Sequence, residues 1–230
     1  TPYDPIKANH TVSDFTEGNG WQYTFFAPQN PEGLIELFGG DKSFTQKLDQ
    51  FFVTTGDLGE HASPDISGLI GQYAHGNEPS HHIAYLYAFA GEQWKTAEKV
   101  RFILNDFYTN KPDGIIGNED CGQMSAWYIL SSMGFYQVNP MNGLFVFGSP
   151  IFEKVTIKLP LNKSFIIVSE NNSKENIYIQ KVELNGKPYS KSYILYNDIM
   201  QGSSLKFYMG AKPNYDFGTK VEDRPLSNLN

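Results

Sequence analysis

Gly117-Asn118-Glu119-Asp120-Cys121-Gly122-Gln123-Met124-Ser125-Ala126-Trp127-Tyr128 is the stretch on which the fold turns. Its first half is polar and bounded by glycines, and its second half is apolar. That order predicts a tight turn followed by a helix from about Gln123 to Met133, capped by Gly134. The helix is apolar on most sides, so it is expected to be buried. It is also the last helical pattern in the chain. Upstream the apolar residues recur at helical spacing, and downstream they fall in short β-type runs.

Upstream, Pro31 opens a short helix through Phe38, stopped by Gly39-Gly40. Ser43 reads as the cap of a second helix carrying Phe44, Leu48, Phe51 and Phe52 on one face. Residues 54–77 read as loop. Pro79 opens a third helix through Ala90, and Trp94 to Tyr108 form a long amphipathic fourth. Downstream, strands are expected at Leu144–Phe147, Val155–Leu159, Phe165–Val168, Ile177–Leu184, Tyr193–Tyr196 and Leu205–Met209. Asn185-Gly186 marks a hairpin. The fold class is therefore α+β: helix pairs over 1–140, then a small antiparallel β-sheet or sandwich over 141–230.

Composition narrows the function. The chain has 230 residues, 40% hydrophobic and 19% charged, which is globular and not disordered. A net charge of −7 without any Lys/Arg run argues against a nucleic-acid surface. The single cysteine excludes an internal disulfide and a multi-cysteine metal site. No apolar run approaches the 20 or so residues of a membrane span. The opening Thr1-Pro2-Tyr3 has neither Met nor a signal peptide, as expected of a processed or excised piece. Aromatic residues make up 15%, which suits either stacking surfaces for ring-shaped ligands or a well-filled core.

Three polar clusters sit at loop-to-helix junctions: Glu17-Gly18-Asn19-Gly20-Trp21-Gln22-Tyr23, His75-Gly76-Asn77-Glu78-Pro79-Ser80-His81-His82, and Gly117 to Tyr128. Carboxylates beside aromatic rings suit glycoside hydrolysis, which needs one acid to protonate the leaving oxygen and one carboxylate to activate water or attack. Glu17, beside Trp21 and Tyr23, is the candidate acid, and Asp120, at a helix start, the candidate base. The same two residues also read as plain helix caps. Asn77 and Glu78 offer the oxygens a hard cation such as calcium prefers, and equally read as an N-terminal cap before Pro79. His81 and His82 are adjacent, so they cannot chelate one metal in the i, i+4 manner. His75 or His82 is a candidate for substrate contact, with His81 structural. Asn118 and Gln123 are expected to hold the turn, and Cys121 to be a small buried thiol.

Taken together, these clusters, with Trp94-Lys95-Thr96, Val100-Arg101 and Gly134-Phe135-Tyr136, resemble glycoside hydrolase family 92. The resemblance runs from about residue 10 to 150. It implies a calcium-dependent, exo-acting α-mannosidase of the bacterial periplasm or exterior, acting by single displacement with inversion. It also implies an (α/α)6 barrel, of which this chain carries the C-terminal part. An N-terminal β-sandwich and the remaining barrel helices would be its partners. By the same resemblance Glu17 matches the general acid and Asp120 the base. Asn77 and Glu78 match the calcium loop, while Trp21, Gln22, His75, Trp94 and Asn118 are placed against a mannose-containing glycan, with an α-1,2 linkage expected. Inversion implies carboxyl groups roughly 6.5–9.5 Å apart. Where some members carry a second acid two residues before the base, this chain has Asn118. A polysaccharide lyase on a similar toroid would want Tyr, His or Arg in a basic pocket, which the charge of −7 disfavours. A non-catalytic glycan binder would keep the aromatics without needing the paired carboxylates.

Overall fold

The computed structural model describes residues 3–228. The helical part comprises α1 (Gly20–Thr24), α2 (Pro31–Leu37), α3 (Asp41–Phe51), α4 (Leu86–Phe89), α5 (Gln93–Asp106) and α6 (Gln123–Met133). Between α3 and α4 lie a two-stranded ribbon, β1 (Leu69–Ile70) with β2 (Tyr73–Ala74), and two 3₁₀ turns at Glu78–Ser80 and Ile83–Tyr85. The remainder is β3 (Phe135–Tyr136), β4 (Leu144–Phe147), β5 (Lys154–Lys158), β6 (Ser164–Glu170), β7 (Tyr178–Leu184), β8 (Lys187–Pro188), β9 (Tyr193–Leu195), α7 (Tyr196–Met200) and β10 (Ser204–Gly210).

The α+β class and most element positions agree with the sequence reading. Three local readings are corrected. α3 begins at Asp41 behind Gly40, whose φ of 104° ends α2's exit turn, so Ser43 lies inside the first turn and caps nothing. The expected helix from Pro79 to Ala90 is broken into two 3₁₀ turns and the single turn of α4. Every residue from Ser80 to Ala90 is buried, and His81 and His82 are bonded to carbonyls of distant segments, so tertiary contacts override helical propensity. α6 is not buried all round: Met124, Trp127, Ser131 and Ser132 face the core, while Ile129 is 55% exposed.

The β part forms two sheets, ordered β5-β6-β10-β7-β8 and β3-β4-β9. β10 inserts between two antiparallel neighbourhoods and runs parallel to β6, with Leu205 opposite Ile167, so the larger sheet is mixed and not wholly antiparallel. Asn185 and Gly186 both have positive φ, 53° and 74°, which is the turn geometry that suits the twist of the β7–β8 hairpin. Two large apolar cores result, beside a small cluster of Ala8, Ile66 and Ala74. One joins the helices, with Phe44, Tyr85 and Trp127 fully buried. The other fills the larger sheet, around Phe165, Ile179 and Phe207. The small sheet is shared: Val146 and Tyr193 point into the first core, Phe147 and Ile194 into the second, as period-2 alternation requires. Arg101 of α5 ties the layers. Its guanidinium donates to Ser149 Oγ (3.2 Å), Ser173 O (2.9 Å), Asn172 Oδ1 (2.9 Å) and the Pro150 carbonyl. Burial lowers its pKa to about 10, still protonated at neutral pH.

Candidate active site

The site is built from the loop before α1, the loop after β2 and the loop before α6. Asn19 shapes the first. Its side chain accepts from the N–H groups of Trp21 (3.0 Å) and Gln22 (3.2 Å), while Gln22 Oε1 accepts from the Asn19 N–H (2.9 Å). This reciprocal cap starts α1 and leaves Glu17 half-buried just outside it, in the left-handed region with φ of 50°. A non-glycine residue there carries backbone strain that its surroundings must hold.

Asn77 supplies that restraint. Its amide nitrogen donates to the Glu17 carbonyl at 2.9 Å and to Glu17 Oε2 at 3.4 Å. Asn77 is itself buried, and among the described residues no donor reaches its Oδ1. Glu78, next in the chain, is exposed. The third loop reaches the same place from the other side. Gly117 packs so closely on Gly76 that a Cβ there would lie 2.9 Å from the Gly76 Cα and carbonyl oxygen. The three clusters, separated in sequence, therefore meet at Gly76-Asn77.

In the third loop the two acids divide their work. Glu119 accepts from the N–H groups of Gly122 (2.6 Å) and Ser125 (3.3 Å), so it caps α6, and its pKa lies below the ordinary carboxylate range because of its bonds to Ser125 and Gly122. Asp120 is exposed with φ of 55°, and its charge reaches His81. The helix-start N–H groups expected to stabilise Asp120 are thus taken by Glu119. Cys121 is exposed and also left-handed (φ 55°), which corrects the buried-thiol reading. Asn118 does hold its loop, donating to Asp65 Oδ1 at 3.2 Å.

Several expected substrate contacts fall elsewhere. His75 is 0% exposed, with Nδ1 on the Tyr73 hydroxyl (2.8 Å) and Nε2 on the Tyr108 hydroxyl (2.7 Å), so both ring nitrogens are spent inside the core. Gln22 is buried and binds the Gln72 carbonyl at 3.0 Å, a structural task. Trp94 packs edge-on against Tyr215 of the C-terminal segment and does not join the three loops. Trp21 remains half-buried beside the Glu17 loop, with the Lys47 ammonium 3.7 Å from its ring centroid.

A cleft of about 360 Å³ opens beside Glu78, lined also by His81, His82, Gln123, Tyr136 and Phe26. His82 Nε2 bonds the Phe25 carbonyl (2.8 Å), and burial lowers its pKa to about 4, as it does for His81. Both rings are neutral at pH 7. The sequence names Tyr136 only within the Gly134-Phe135-Tyr136 motif, without a role, and does not single out Asp65, the partner of Asn118. Tyr136 carried only a weak signal, lying just past the Gly134 cap, and Asp65 sits in a segment with no periodicity. For calcium, the neighbouring residues Asn77 and Glu78 offer oxygens, Asn77 Oδ1 and the Glu78 carboxylate, although the atom of Asn77 that meets Glu17 is its amide nitrogen and the cleft lined by Glu78 includes neither Asn77 nor Glu17. That chemistry suits a hard cation, though no group of three His, Cys, Asp or Glu side chains forms a ready-made metal centre among the described residues.

Comparison with known proteins gives the family. Residues 1–211 match the Glycosyl hydrolase family 92 catalytic domain. That places the fold and its three loops in the catalytic region of a glycosyl hydrolase. The chain belongs to glycoside hydrolase family 92. Its structure is similar to that of the family 92 α-mannosidase BT3965 from Bacteroides thetaiotaomicron, solved with mannoimidazole, at a TM-score of 0.92 and 40% identity over 98% of this chain and 30% of that one. The inverting mannosidase BT2199 of the same organism gives 0.83 at 36% identity, over 97% of this chain and 32% of that one. A protein described as an uncharacterized secreted glycosidase from Arthroderma benhamiae is 31% identical over 92% of this chain and 26% of its own length. The chain therefore spans about a quarter to a third of the relatives it matches.

Proposed function

We propose that the protein to which this chain belongs hydrolyses terminal α-mannosidic linkages, of α-1,2 type, by a single inverting displacement. Glu17 gives its proton to the leaving glycosidic oxygen. Asp120 takes a proton from water as that water's oxygen bonds to the anomeric carbon and the old bond breaks. The observation that carries this reading is the meeting of the Glu17 and Asp120 loops on Gly76-Asn77. Glu119 takes the capping bonds of α6, which leaves the Asp120 carboxylate open in the same turn. Trp21 offers an aromatic face beside the acid, and Asn118 fixes the loop before the base.

Asn77 and Glu78 are the side chains that would hold calcium, with water, main chain or sugar oxygens completing the 6–8 such an ion takes. A dication there would supply positive charge that orders sugar hydroxyls. Asn77 meanwhile holds Glu17, and Glu78 faces the cleft. An N-terminal β-sandwich and further barrel helices would complete the enzyme, whose place is the periplasm or the cell exterior. No helix among the described residues is long and apolar enough to cross a membrane.

The deciding experiment uses the full-length enzyme on α-1,2-mannobiose, with wild type, Glu17→Gln and Asp120→Asn compared by proton NMR. The expected result is β-mannose as the first-formed product and a loss of about 10²–10⁴-fold in turnover in each variant, the scale of general acid–base catalysis. Unchanged turnover in either variant, or α-mannose formed first, sinks the proposal.

A further inference from the structure

The cleft beside Glu78 contains an amide whose direction is determined by its neighbours. His81 Nε2 lies 2.9 Å from the His75 carbonyl, which can only accept, so Nε2 carries the proton. The ring is neutral, so Nδ1 is an acceptor, and the Gln123 group 3.0 Å from it must be the NH₂. The same nitrogen lies 3.2 Å from the Tyr136 hydroxyl oxygen. Both amide hydrogens are thereby used. Gln123 lines the cleft, and among the described residues no donor reaches its Oε1. The Tyr136 hydroxyl, accepting from Gln123, keeps its own hydrogen, and none of the described residues accepts it. Burial holds the Tyr136 pKa above its ordinary value, against the lowering effect of its bond from Gln123, so the hydroxyl keeps its hydrogen at neutral pH. The half-exposed ring of Phe26 forms an apolar wall of the same cleft.

We propose that this cleft is a monosaccharide subsite, in which Gln123 Oε1 accepts from, and the Tyr136 hydroxyl donates to, hydroxyl groups of one neutral pyranose whose apolar face lies on Phe26. An acceptor and a donor held side by side match a sugar hydroxyl, which needs one of each, and a ring platform is the usual complement to the C–H face of a sugar. The cleft volume of about 360 Å³ is of the size small-ligand sites have. Glu78 lines it too, so the subsite adjoins the candidate calcium donors. This rests on the glycosidase reading above. It goes further in naming Gln123, which the sequence assigned to holding the turn, and Tyr136 as residues that read the sugar.

The sugar held there is either the mannose being released or the one that stays behind, and two substrates separate them. The full-length enzyme is assayed on α-1,2-mannobiose and on 4-nitrophenyl α-mannoside, as wild type, Tyr136→Phe and Gln123→Met. Both variants keep the side chain's volume, so melting temperatures within a few degrees of wild type are expected. A loss of tenfold or more in kcat/KM on both substrates places the departing mannose in the cleft. A loss confined to mannobiose places the second sugar there. Values within twofold of wild type on both substrates for both variants overturn the subsite. If the wild type hydrolyses neither, calorimetry with methyl α-mannoside and mannobiose decides. Binding weakened by Tyr136→Phe keeps the subsite while the hydrolase reading falls, and binding unaffected by either variant, or absent in the wild type, overturns the subsite. A variant that does not fold is replaced by Gln123→Glu, whose carboxylate cannot donate to His81. That variant is expected to lose sugar affinity, and unchanged affinity overturns the proposal.

Discussion

Asn77 donates one amide group to both the main-chain carbonyl and the carboxylate of Glu17, at 2.9 and 3.4 Å across 60 residues of sequence. Glu17 sits in a left-handed conformation that an unrestrained chain would leave. We expect Asn77→Ala to release it. Losing one partly buried hydrogen bond costs about 1 kcal/mol of stability, whereas misplacing a catalytic acid by an ångström costs on the order of 100-fold in rate. Thermal melts paired with mannobioside hydrolysis by the full-length enzyme test this. A variant with the expected small melting shift and wild-type turnover would show that Asn77 does not position the acid.

Removing calcium should separate assembly from activity. Asn77 and Glu78 are adjacent, and Asn77 holds Glu17 through its amide nitrogen, leaving Oδ1 as the atom it would offer a cation. The fold should therefore survive chelation, with a melting change of a few degrees, while turnover is lost and returns on adding calcium. A ligand at 100 times its Kd contributes about 2.7 kcal/mol, so a fall larger than that allows would mean the ion has a structural seat elsewhere. Full activity in excess chelator would refute the metal role.

Acid should destabilise this protein through its buried histidines. Burial holds His81 and His82 at about 4, only partly offset by their bonds to the His75 and Phe25 carbonyls and, for His81, by the charge of Asp120. In the unfolded chain both titrate near 6.5. Below that value the unfolded state binds more protons than the folded one, so stability falls as pH drops from about 6.5 towards 4 and is fully present above 6.5. Each histidine contributes up to about 1.4 kcal/mol per pH unit in that window. Urea midpoints from pH 7.5 to 5 are expected to decline, and His82→Gln is expected to flatten the slope. A midpoint independent of pH over that range would contradict the burial of these rings.

How much of this was legible in the sequence follows from which interactions are local. α6 and the Asn185-Gly186 hairpin were readable because a cap, an apolar stripe or a two-residue turn is written in neighbouring residues. The segment from Pro79 to Ala90 reads as one helix in sequence, and the structure breaks it because His81 and His82 answer to carbonyls outside it. The roles of the site residues divide the same way. Glu119 and Asp120 are adjacent and chemically alike, and only the turn geometry makes one a cap and leaves the other open. His75 reads as a polar residue in a promising loop, yet its two tyrosine partners lie on β2 and just beyond α5. The parallel pairing of β10 with β6 depends on an insertion between strands that no local pattern records.

The contact between Gly117 and Gly76 gives the sharpest test of convergence. Gly117 has φ of +75°, and a Cβ added to it would meet the Gly76 Cα, the Gly76 carbonyl oxygen and Ser67 Oγ, each at 2.9 Å. Two of these are backbone atoms that cannot rotate away, so Gly117→Ala must move one loop off the other. Gly186 provides a control: its φ of +74° is nearly the same, and nothing lies within 4 Å of its added Cβ. Gly186→Ala therefore reports the left-handed strain alone, about 1–2 kcal/mol, in a hairpin remote from the three loops. We expect Gly117→Ala to cost a further 1–3 kcal/mol, the range for overpacking, and to reduce turnover at least tenfold by displacing Asp120. Gly186→Ala should leave turnover unchanged. Denaturant midpoints and kcat/KM measured on both variants in the full-length enzyme make the comparison. If the two variants match in stability and both turn over at the wild-type rate, the loops do not lean on each other, and the shared seat of Glu17 and Asp120 at Gly76-Asn77 is lost with them.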